Sequence, residues 1–148
     1  MRRHPFHVLV AVVYAVVLLL IGFWPSPVDE DVDVLRSWPV QALVRLGLTP
    51  LDGYGIVEFA ANVALFAPFG WVGMTLVRRA TWWGVTACGC LVSVSLEVGQ
   101  QVLRPDRFAT TSDVVANTVG AFVGSLLAAW ALRRGRAPGP RRVAVPEG

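Results

Sequence analysis

The chain has 148 residues, of which 55% are hydrophobic and 16% charged, whereas an ordinary soluble domain carries about 25% charged residues. Together with a mean hydropathy of +0.57, this excludes a water-solvated globular domain. The net charge of +3 comes from arginines alone among the basic residues, clustered beside apolar runs; no aromatic-interleaved patch or zinc spacing accompanies them, so no nucleic-acid partner is expected.

Four apolar runs of about 20 residues are each long enough to cross a hydrocarbon core of roughly 30 Å. The first, 6–24, follows Met1-Arg2-Arg3-His4 and is stopped by Pro25 and Pro27, which lack an amide for a continuing helix. It is longer than a signal-peptide core and no small-residue cleavage site follows it, so it reads as an uncleaved span. An acidic loop containing Asp29, Glu30, Asp31 and Asp33 comes next. Val40, Leu43 and Val44, at helical spacing after Trp38, fit a short helix in the interface as well as they fit plain loop.

Pro50-Leu51-Asp52-Gly53 reads as a turn before the second span, 55–77, which contains Pro68 and ends at Arg78 and Arg79. The third span, 81–103, then follows so closely that the two form an antiparallel hairpin. Ser112 is the expected N-cap of the fourth span, 113–132, with Asp113 at the positive end of its dipole. The basic, proline- and glycine-rich stretch 133–148 is expected to be a disordered tail. The predicted fold is therefore all-α, an integral membrane four-helix bundle. Nine arginines (2, 3, 78, 79, 133, 134, 136, 141 and 142) fall on one side and four (36, 45, 104 and 107) on the other, which places both termini in the cytoplasm.

Polar residues inside spans need a reason, because a charge at the bilayer centre costs at least about 2.5 kcal/mol. Glu58 and Asn62 share a face of span two; Glu97, Gln100 and Gln101 lie on span three; Asp113 and Asn117 share a face of span four. With the expected topology all three sets occupy the external half and can form one layer, with Arg104 and Arg107 in the loop above it. Glu97, Asp113 and Glu58 are the candidate acid–base groups; Glu58, Asn62, Glu97, Gln100, Arg104, Arg107, Asp113 and Asn117 are the candidate ligand-binding set, suited to an anionic head group. The alternative is that these groups only bond helices to one another or cap them. Gly120 and Gly124 form a G-x-x-x-G pair read as helix packing, with oligomerisation through that face left open. Cys88 and Cys90 read as small packing residues, and His4 and His7 lie at the opposite end from the layer. No metal site and no cofactor are expected.

These residues resemble the VanZ-like family, named for a glycopeptide-resistance accessory protein. Asn62-Val-Ala-Leu-Phe66-Ala-Pro68-Phe69-Gly70 is like its N-x-x-x-F-x-P-x-G signature, Glu97-Val-Gly-Gln100 like its E-x-x-Q, and Arg107 with Asp113 and Asn117-Thr118-Val119-Gly120 like its R-x(5)-D-x-x-x-N-T-x-G ending. The likeness covers 6–132; Gly99 departs from it, standing where bulkier apolar residues are usual. It implies a packing role for Pro68 and Gly70. It also implies a link to lowered susceptibility to teicoplanin-type lipoglycopeptides, by a route other than rebuilding the cell-wall precursor. Three functions compete: a membrane protein whose external layer engages an amphiphile, such as a membrane lipid, a lipid-linked wall component or the antibiotic; an intramembrane enzyme acting on a lipid phosphate or lipid-linked precursor; and a small proton-linked transporter. The last would need polar groups across the whole bilayer, and the inner halves of the spans are apolar.

Overall fold

A computed structural model describes residues 5–23, 34–77, 79–103 and 111–135. Among them there are five α-helices and no strands: α1 (Pro5–Gly22), α2 (Trp38–Arg45, preceded by a 3-10 turn at Val34–Arg36), α3 (Pro50–Leu76), α4 (Trp82–Leu103) and α5 (Thr111–Arg134). Three of them, α3, α4 and α5, are long and apolar enough to cross a membrane; the apolar stretch of α1, Val8–Gly22, is shorter. The acidic segment, Arg104 and Arg107, and nearly all of the predicted tail lie outside the described residues.

The segment after Trp38 is helical, because its spacing gives it one side to bury. Val40 is fully buried and lies over the start of α3, where a Cβ on Gly53 would meet its Cγ1 at 3.3 Å. The other side leaves Trp38 82% exposed. A Schellman motif ends α2: the Leu48 amide reaches the Leu43 carbonyl (3.3 Å) and the Gly47 amide the Val44 carbonyl (3.0 Å), with Gly47 in the left-handed region at φ 97°.

The turn expected at Pro50–Gly53 is instead the first turn of α3. Thr49 caps the helix, accepting the Asp52 amide at 3.2 Å while its hydroxyl donates to the Asp52 carboxylate at 2.6 Å. Pro50 sits at the first helical position, where a missing amide costs nothing. The residues that resembled a turn thus form a cap, and α3 extends 27 residues, unbroken through Pro68.

Packing centres on α5, whose small residues Ala116, Ala121, Ser125 and Ala128 are fully buried. A Cβ on Gly120 would run into the Val63 carbonyl, one on Gly124 into the Ala67 carbonyl, and one on Gly70 into the Ala121 carbonyl. The backbones of α3 and α5 therefore touch, as small-residue stripes allow when no hydrophobic force separates protein from lipid. The face of Gly120 and Gly124 is covered by α3 of the same chain. The contacts advance together along α3 and α5, so these two helices run parallel. Against them α4 is antiparallel, with Gly89 facing Ala121 (a Cβ there would lie 2.6 Å from the Ala121 Cβ) and Ser93 facing Asn117.

The first helix is held differently. The Tyr14 hydroxyl donates to the Leu65 carbonyl at 2.7 Å, and the Gln100 amide donates to the Gly22 carbonyl at 2.6 Å, so one of the orphan carbonyls ending α1 gains a partner. Elsewhere α1 presents Val8, Leu9, Val12, Val13, Val16 and Leu20 outward, which suits lipid. Replacing Gln100 with leucine is expected to loosen the C-terminal end of α1 without disturbing the other helices. Hydrogen exchange in lipid nanodiscs checks this: amides near Gly22 lose protection while those of α5 keep it.

Candidate functional site

The start of α3, the end of α4 and the start of α5 meet at one end of the molecule. The cap at Thr49, the parallel course of α3 and α5, and the antiparallel course of α4 bring them there. Asn62, three turns into α3, donates through Nδ2 to Asp113 Oδ1 at 2.9 Å. One turn further along α5, Asn117 donates through Nδ2 to Ser93 Oγ of α4, also at 2.9 Å. Glu97 stands one turn beyond Ser93 on the same face of α4 and is 9% exposed. Five polar side chains from three helices are thus gathered in a bundle whose buried hydrophobic residues are Leu18, Val40, Phe66, Val85 and alanines of α5.

Two features set this group apart from simple helix glue. Asn117 is 7% exposed, yet its Oδ1 has no hydrogen-bond partner among the described residues. Leaving a buried acceptor unpaired costs about 1–3 kcal/mol, so the amide accepts a loss that a leucine there would avoid. Glu97 likewise places a carboxyl where burial penalises charge. Beside the Asn62–Asp113 bond, the group holds one buried acceptor with no partner among the described residues, Asn117 Oδ1.

The expected layer is sorted by this geometry. Asn62, Asp113, Asn117 and Glu97 come together. Glu58 does not join them: it is exposed, and one carboxylate oxygen accepts from the Tyr54 hydroxyl at 3.4 Å. Gln100 faces α1, where it satisfies Gly22, and Gln101 is exposed. Arg104 and Arg107 lie outside the described residues. Ser93 was missed, although it stands one turn before Glu97, the same spacing that linked Asp113 to Asn117. Cys88 is exposed and Cys90 partly so, both free thiols. Among the described residues no group of three or more His, Cys, Asp or Glu could hold a metal ion.

A double-mutant cycle of Asn62→Ala and Asp113→Ala is expected to give a coupling of about 0.6 to 1.7 kcal/mol, the range for hydrogen bonds between membrane helices. Reversible unfolding in mixed micelles measures it; zero coupling would mean that the pair does not form.

No curated protein and no solved structure matches the chain. A family model described as VanZ/LLP1 matches residues 11–132, which takes in Asn62, Phe66, Gly70, Glu97, Asp113, Asn117 and Gly120. In the fold these residues are the ones that join α3, α4 and α5 or stand at their shared polar end. Motif, geometry and match agree, and the chain belongs to the VanZ-like family.

Proposed function

We propose that this chain is a multi-pass protein of the cell membrane, with α1 as a fourth span and both termini cytoplasmic. In this reading its outer end engages the polar part of an amphiphile, a teicoplanin-type lipoglycopeptide or a lipid-linked envelope component, and lowers the antibiotic's access to its target. The observation that carries it is the polar set at one end of an apolar bundle, with Asn117, Ser93 and Glu97 buried and Asn62 and Asp113 half-buried. The arginine count supports that end as the external one. At the opposite end Arg134 lies 3.7 Å over the Trp130 ring and Trp82 and Trp83 are exposed, an aromatic belt such as marks either membrane interface.

The test is the amount of labelled teicoplanin bound by cells of a susceptible Gram-positive host, with and without the protein. Reduced binding is expected; equal binding would contradict the proposal. The buried Glu97 carboxyl, one turn beyond the Ser93 to which Asn117 donates, favours one second reading, an intramembrane acid–base catalyst acting on a lipid-linked substrate. Turnover of such a substrate by purified protein, lost in Glu97→Gln, would select it.

A further inference from the structure

Between α1, α3 and α4 lies a cavity of about 320 Å³ that the polar end does not use. Its cause is local. The Tyr14 and Gly22 hydrogen bonds fix α1 to its neighbours at two levels, while Ala11 and Ala15, one turn apart on the cavity side, are too short to fill the space. Val72 of α3 and Leu96 of α4 form the facing walls.

We infer that a single acyl chain of a bilayer phospholipid occupies this cavity. Its lining carries one polar side-chain group, the Tyr14 hydroxyl, and that group is already donated to the Leu65 carbonyl. Water needs two to four polar partners and finds at most one in this wall, the Tyr14 oxygen as an acceptor. The volume falls at the lower end of ligand sites, about 300 to 1,000 Å³. The lining on α1, from Ala11 to Leu19, extends over roughly 12 Å at about 1.5 Å per residue. A protein span about 10 Å across with its side chains does not enter a slot of this size. A hydrocarbon chain does, and the entrance suits it: Leu19 lines the cavity and is also 53% exposed on the apolar outer face of α1. The inference goes beyond the function proposed above. It requires α1 to lie in the bilayer and asks nothing of Glu97 or its neighbours.

The experiment uses the full chain in vesicles of phosphatidylcholine and phosphatidylglycerol, with a trace of phosphatidylcholine carrying a photoactivatable diazirine on its acyl chain. After irradiation, adducts are mapped by mass spectrometry. Adducts concentrated on Leu18, Val72 and Leu96 are expected, lost in Ala15→Phe and in Ala11→Leu, which fill the slot from different levels, and kept in Leu20→Phe on the outer face. Adducts spread evenly over the outward faces of all helices in the unaltered protein would overturn the inference, whether or not the variants fold. Adducts unchanged in both filling variants would overturn it too. The labelled-antibiotic test can fail while this adduct pattern stands, and the reverse, so the two proposals fall separately.

Discussion

Adding one methyl group at Gly124 is expected to unfold the bundle, whereas the same change at Gly55 leaves it intact or slightly firmer. Both glycines are helical, and both changes bring alanine's advantage of about 1 kcal/mol in helix propensity. At Gly55 a Cβ meets nothing within 4 Å, so that gain stands. At Gly124 it lands on the carbonyl of Ala67. Overpacking costs about 1–3 kcal/mol when side chains can yield, but here the obstacle is backbone. The two helices must separate along the whole seam, surrendering the contacts at Gly120 and Gly70 as well. We expect Gly124→Ala to cost about 3 kcal/mol or more by that comparison. Unfolding by SDS titration from mild detergent measures both variants; equal effects would contradict the packing.

Removing the inner polar pair is expected to separate stability from function. In the double variant Ser93→Ala with Asn117→Leu, both hydrogen-bonding partners become apolar together, a change that is often nearly neutral or stabilising. The bond lost between membrane helices is worth about 0.6 kcal/mol on average, and the unpaired Oδ1 of Asn117 disappears with it. Stability should therefore stay within about 1 kcal/mol of the original, while any effect on antibiotic binding is abolished. A large loss of stability with function retained would make the pair structural glue and nothing more.

The sequence shows clearly what lipid demands. Long uncharged runs must become helices that satisfy their own backbone, and α3, α4 and α5 appear where the apolar runs predict them. Spacing also identifies faces: the pairs Asp113 with Asn117 and Gly120 with Gly124 share the sides that their i, i+4 intervals assign. Spacing cannot say which helix lies opposite. Gly120 and Gly124 read as helix packing without naming the partner helix, and only the parallel course of α3 beside α5 shows that Val63 and Ala67 lie against them. For the same reason Gln100 seemed to belong to the polar layer, although its amide turns to the end of α1. Glu58, on the same face as Asn62 by count, ends up exposed beside Tyr54. Pro50 was misleading in a different way: proline followed by Asp-Gly suggests a turn, but the preceding threonine makes it a helix start. Ser93 escaped notice because a serine in a span is unremarkable until its partner is known.

The central claim is that Glu97 and Asp113, the carboxyls at the polar end of the bundle, carry the proposed function. It is tested most directly by labelled teicoplanin bound to host cells expressing, at matched levels, the original chain, Glu97→Gln or Asp113→Asn. Both substitutions keep size and hydrogen-bonding capacity while removing the charge. The account predicts reduced binding with the original chain and binding restored to the level of the empty host in the two variants. Reduced binding that persists unchanged in both variants would contradict it.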